Sequence, residues 1–168
     1  MLNQTTYPNC GIVIMHVFLS KFFQNLGLLE GEKIKNRNAQ IKAIQLLHYL
    51  STATNHFAEQ SDITIFKVLV NLPQQEHIAF KEQLTAIEIG ECKFLFQSFI
   101  NHWSAVKKTS INEIQRLFIQ KRGIIIEKEQ SIEIYLEKSP IDFLLDQLPY
   151  NYHILKLPWI KNLFSVII

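Results

Sequence analysis

A chain of 168 residues, 48% of them apolar and 12 of them phenylalanine, is long enough to bury a real core and is not a disordered chain. A net charge of +2, with Lys and Arg interspersed among Glu, lacks the clustered basic stripe of a typical nucleic-acid binder. Two cysteines, Cys10 and Cys92, give neither a disulfide framework nor a zinc spacing, which fits a reducing compartment.

Residues 1–9 are a polar lead-in with Pro8 and without the positive start of a signal peptide. The apolar stretch 11–29 carries His16, Ser20, Lys21, Gln24 and Asn25. A membrane helix needs about 20 predominantly apolar residues, so this stretch predicts a buried helix instead. Ile12, Met15, Leu19, Phe22, Phe23 and Leu26 recur at helical spacing over 12–26, and Val13, Ile14 and Phe18 widen the face. Asn9 is a candidate cap, and Gly27 and Gly31 are stop signals. His16 borders the apolar face, either as a hydrogen-bonded core histidine or as a ligand, and no His or Cys partner stands at ligand spacing.

Residues 30–38 read as a polar loop, 39–50 as a second helix with Ala43, Ile44, Leu46, Leu47 and Leu50 inward, and 51–60 as a loop. His48 and His56, with that loop between them, fit no metal motif. Ser61 or Asp62 should cap a short helix that ends at Leu72-Pro73, because proline disfavours helix at the residue before it. Residues 74–83, with His77, are a polar connection. Thr85 and Glu88 form a capping-box pattern for a helix over 86–103. Its buried face is Cys92, Leu95, Phe96, Phe99, Ile100 and Trp103, which makes Cys92 a small core residue.

A turn with Lys107 and Lys108 leads to a second capping box, Ser110 and Glu113, and to a short amphipathic helix through Ile111, Ile114, Leu117 and Phe118. Across Lys121-Arg122 the period changes from 3.6 to 2. Gly123 marks the stop, and strands are predicted at 124–127 and 131–137. In the second, Ile132, Ile134 and Leu136 alternate with Glu133, Tyr135 and Glu137, the pattern of a strand with one wet face. Ser139-Pro140 should start a helix with Ile141, Leu144, Leu145 and Leu148 inward, closed by Pro149. Residues 152–157 read as a third strand. Residues 163–168 read as a short edge strand or docked tail, packed in the domain or covered by a partner.

The expected fold is α+β. About four helices form the N-terminal part, followed by a helix–β-hairpin–helix–strand unit with a small antiparallel sheet. Residues 1–168 make one domain, or two packed lobes at 1–104 and 105–168. The five glycines are scattered, so there is no phosphate loop, and GxSxG, HExxH and CxxC are all absent. No enzyme, cofactor or metal is therefore expected. A hydrolytic or metal-dependent enzyme would require at least two of His16, His48, His102 and His153 to converge. The helix over 111–120, its basic corner and the hairpin also allow a winged-helix reader of nucleic acid, binding through Lys107, Lys108, Lys121 and Arg122. Glu113 would then lie where phosphate should, and an ordinary helix packed on a hairpin fits the same residues.

Several segments share a pattern with one known family. Residues 9–28, NCGIVIMHVFLSKFFQNLGL, open on Asn, a small residue and Gly, then an apolar run with His and Phe-Leu. Residues 43–52 read AIQLLHYLST and residues 66–73 FKVLVNLP. Residues 100–123 hold His-Trp, Lys-x-Thr-Ser and an apolar helix up to Gly123, and DFLLDQLP (142–149) and HILKLPW (153–159) follow in order. In these segments the sequence resembles the C-terminal region of contractile injection system tape measure proteins, components of phage-tail-like particles. It departs from the pattern at Cys10, where Ala is expected, at Val17, where Pro follows the His, and at Val70-Asn71, which replaces Cys-Gly. The chain starts near the beginning of the shared region, so a short paralogue, a split gene or a fragment is expected.

The resemblance implies a structural or assembly protein, made in the cytoplasm and assembling into such a particle. It would take part in tube or sheath length control or in anchoring. Its partners would be tube, sheath or baseplate proteins, with no small-molecule substrate, no membrane insertion and no nucleic acid. A compact domain of this size has a radius of gyration of roughly 15 Å, too short for a ruler, so anchoring is the better expectation. Aromatic and proline-flanked positions at element ends, His102, Trp103, Pro158 and Trp159, are the candidate partner interface, with core packing the alternative for both tryptophans.

Overall fold

The computed structural model describes residues 4–168, and the first three residues of the polar lead-in lie outside the described residues. The first helical stretch comes in two pieces. Cys10–Met15 is a fully buried 3-10 turn, and α1 (His16–Asn25) continues it. Asn9 does precede the turn, but its side chain makes no cap bond. Its backbone is left-handed (φ 64°), and its amide donates to Asp62 O at 3.2 Å, tying the turn to the middle of the chain. Gly11 is required by contact. A Cβ at that position would stand 1.7 Å from Phe118 O and 2.9 Å from Ile119 O.

The expected loop over 30–38 contains a small hairpin, β1 (Leu29–Glu30) with β2 (Lys33–Ile34), turning at Gly31 (φ +62°). Two-residue strands are too short to show a period of 2. The second helix, α2 (Arg37–Thr52), begins two residues before its apolar face does, because the Asn36 carboxamide oxygen accepts from Ala39 N–H at 2.9 Å. α3 (Thr64–Leu69) is buried throughout. Neither Ser61 nor Asp62 caps it. Both belong to a 3-10 turn, Gln60–Asp62, and Ile63 stands at the cap position without a side-chain bond. It ends in a Schellman turn: Leu72 N–H donates to Lys67 O at 2.8 Å and Asn71 N–H to Val68 O at 3.2 Å, with Asn71 left-handed at φ 66°.

α4 (Ala86–His102) and α5 (Ile111–Ile114) both start on complete capping boxes, Thr85 with Glu88 and Ser110 with Glu113. α5 widens into a π turn, Gln115–Ile119. The extra residue carries Gln115 into the core, where its amide donates to Leu50 O at 2.9 Å, and Gln120 donates to Ser51 O at 2.9 Å.

β3 (Gly123–Glu127), β4 (Ser131–Leu136), β5 (Ile154–Leu155) and β6 (Leu163–Ile167) form one sheet in the order β3-β4-β6-β5. The sheet is mixed: β4 and β6 run parallel, and the other pairs are antiparallel. The segment expected at the edge is thus an inner strand. Phe164 and Val166 point into the core and hold it between β4 and β5. The expected third strand over 152–157 shortens to β5. The helix expected after Pro140 is a 3-10 turn, Asp142–Gln147, because Pro149 forces Leu148 into an extended conformation (ψ 139°) after too few residues for a stable α-helix. The fold is α+β, with the helices mostly in the N-terminal part. Buried hydrophobic residues from Cys10 to Val166 form a single cluster.

Candidate docking surfaces

Strand register places one set of side chains on the outer face of the sheet. Ile124 lies across from Tyr135, and Tyr135 across from Ile167. In the next row stand Ile126, Glu133, Ser165 and Ile154, and beyond them Ser131 and Leu163. The face that alternation marks as wet is therefore mostly apolar. Ile154 is 53% exposed, Leu163 41%, Ile167 39% and Tyr135 37%. Its one carboxylate is tied on both oxygens: Glu133 accepts from Lys128 Nζ at 2.6 Å and from Tyr135 Oη at 2.8 Å. These hydrogen bonds, that from Lys128 above all, hold the Glu133 carboxyl below its ordinary pKa. A sheet face that exposes several large apolar side chains around one tied carboxylate is the kind of surface that marks an interaction site.

A second surface is concave. A cleft of about 620 Å³ opens between the β1–β2 hairpin, the start of α2, the end of α3 and the β5–β6 connection. Val70, Trp159 and Ile160 form its buried apolar floor, and Pro158 lies exposed on its wall. Lys33, Lys156 and Lys161 are exposed around it, and Glu32 is the one acidic residue of the lining.

The four residues singled out in the sequence separate into two pairs. His102 and Pro158 are exposed, whereas Trp103 is fully buried and Trp159 is 7% exposed. Trp103 packs on Phe99 and Phe118, and its indole N–H donates to Leu144 O at 2.9 Å. Trp159 packs on Phe23 and donates to Leu69 O at 2.8 Å. Both indoles are core anchors whose polar ends are satisfied inside the protein, so Trp103 offers no surface and Trp159 only the floor of the cleft. The outer sheet face was missed because alternation identifies a wet face without saying that isoleucine and leucine will stand on it. Its signal was present in the three consecutive isoleucines, Ile124, Ile125 and Ile126.

The histidines are each engaged separately. His16 Nε2 donates to Asn151 O at 2.9 Å, His102 Nδ1 to Ser98 O at 2.7 Å and His153 Nδ1 to Val166 O at 3.2 Å, while His48 stands edge-on to Phe66. Among the described residues no three His, Cys, Asp or Glu side chains gather as metal ligands. The basic corner of a winged-helix reader is also altered. Lys121 is buried, 2.8 Å from Asp142 Oδ1 and donating to Glu137 O at 3.0 Å, and Arg122 is held on Thr6.

The chain is thus a small α+β protein that carries a largely apolar outer sheet face and a lysine-rimmed cleft. A family model described as contractile injection system tape measure protein matches residues 3–167. The chain belongs to this family, whose members are components of phage-tail-like particles. Comparison with curated proteins and with solved structures finds no match. Among the described residues no helix is long and apolar enough to cross a membrane.

Proposed function

We propose that this chain is an assembly module that anchors other proteins of a contractile injection particle, and that it acts on tube or sheath length through where it docks. The uncovered apolar face of the sheet carries this reading, since such a face in a family of particle components is suited to a protein partner. The partner is a tube, sheath or baseplate subunit, met in the cytoplasm as the particle assembles. The interface includes exposed His102 and Pro158, each positioned by the buried tryptophan next to it. Residues 1–168 act as one body rather than two lobes, a reading supported by the shared core and by the bonds from Gln115 and Gln120 to the end of α2.

The test is an affinity pull-down of the tagged chain from its native host, read by mass spectrometry, with Ile154→Glu/Ile167→Glu in parallel. The wild type should recover tube, sheath or baseplate subunits, and the variant should lose them while keeping its circular dichroism spectrum. A folded variant that recovers the same subunits would refute the assignment to the sheet face.

A further inference from the structure

We propose that the lysine-rimmed cleft takes an extended acidic segment of another particle protein. Its carboxylates would sit on Lys33, Lys156 and Lys161 and an apolar side chain on the floor of Val70, Trp159 and Ile160. The chemistry follows from the cleft, and only the source of the segment rests on the reading of the chain as an assembly module. Among the described residues, none of the three lysine side chains has an ion pair or a hydrogen bond, and within the lining three cations face one carboxylate, Glu32. Four cations elsewhere are matched: Arg37 with Glu76, Lys42 with Glu88, Lys121 with Asp142 and Lys128 with Glu133. A cleft in which cations outnumber carboxylates three to one concentrates a positive field on whatever enters, so its complement is an anion.

The floor decides which anion. Trp159 is locked by Phe23 and by its bond to Leu69 O, and Gln40 fixes the backbone at the end of α3 by donating to Val70 O at 2.9 Å. The result is a rigid apolar base of the kind that receives a leucine or phenylalanine side chain. No arginine of the lining offers the fork that grips phosphate, and no exposed aromatic ring is available to stack a base. Carboxylates joined by apolar residues fit the cleft, and a nucleic acid does not.

The probe is a fluorescein-labelled peptide, Glu-Leu-Glu-Phe-Asp-Leu-Glu, titrated with the whole chain and followed by anisotropy at low and at physiological salt. Affinity should fall by about ten-fold or more in K33E/K156E/K161E, the combined effect expected of three exposed charge contacts. It should fall likewise for the Gln/Asn version of the peptide, and it should stay unchanged in K93E/K107E/K108E. The proposal is overturned if the triple variant, with an unchanged urea midpoint, binds the peptide equally well. It is also overturned if a single-stranded oligonucleotide of the same charge competes as effectively as unlabelled peptide. The peptide reads the cleft alone, and the loss of subunits in Ile154→Glu/Ile167→Glu reads the sheet face, so either can fail without the other.

Discussion

Replacing Gly11 by alanine tests the packing at the centre of the fold. The added Cβ would lie 1.7 Å from Phe118 O and 2.8 Å from Phe118 C. Carbon and carbonyl oxygen approach comfortably at about 3.3 Å, so the 3-10 turn and the π turn must separate by about 1.6 Å. No rotamer change relieves the clash, because both atoms belong to backbone. Overpacking costs about 1–3 kcal/mol where side chains yield, so a loss of about 3 kcal/mol or more is expected here, from a total of about 5–15. Urea denaturation reads this as a lower midpoint at constant m value, and calorimetry as a fall in Tm of about 6–12 °C. Gly90→Ala is the control. Gly90 lies in α4 with nothing within 4 Å of its missing Cβ, so alanine should stabilise by about 0.5–1 kcal/mol. A Gly11→Ala protein within about 1 kcal/mol of wild type would refute the close approach of the two turns.

Ala53 ends α2 in the left-handed region (φ 57°), where a Cβ costs about 1–2 kcal/mol, so Ala53→Gly should raise the urea midpoint by about 1 kcal/mol equivalent. Asn71→Ala should lose about as much, and Asn71→Gly should be neutral or better. Burial pushes the Cys10 and Cys92 thiols up to about 12, so alkylation at pH 8 should proceed only as fast as the protein opens. Burial also holds His16 and His48 below their ordinary 6.5, partly offset by the Asn151 carbonyl and by Asp62 respectively. The unfolded chain therefore binds these protons first, and stability present above pH about 6.5 is lost as pH falls toward the folded values. Urea midpoints at pH 7.5 and 5.5 should differ in that direction, and less so in His48→Phe. A flat profile would refute the assignment.

Elements with strong local signals were legible in the sequence. Both capping boxes, the long face of α4 and the alternation of β4 need only neighbours along the chain to explain them. The corrections fall where distant contacts decide. Asn9 has the residue type of a cap, yet its amide serves Asp62 across the core. Ser139-Pro140 has the right chemistry for a helix start, but Pro149 cuts the segment short. Leu163–Ile167 looks like an edge because nothing in the sequence shows that β4 will accept a parallel neighbour. Trp103 and Trp159 have the composition of interface residues, and only the carbonyls of Leu144 and Leu69 show that their polar ends are already used inside. The left-handed backbone at Asn71 gives a physical reason for the glycine of the family pattern at that position, since asparagine tolerates this conformation better than other residues with a side chain.

The inner position of β6 also bears on when the protein can fold during synthesis. The β3–β4 hairpin is made first and must wait, with one side of β4 unpaired, until residues 163–167 leave the ribosome. Until then the apolar rows of both faces are open to other chains, and pairing a strand from so far along the sequence is slow. A nascent-chain folding sensor should therefore report no stable sheet until Ile167 has cleared the exit tunnel. In a particle built by ordered addition, such a delay keeps the outer face of the sheet incomplete until β6 has joined β4.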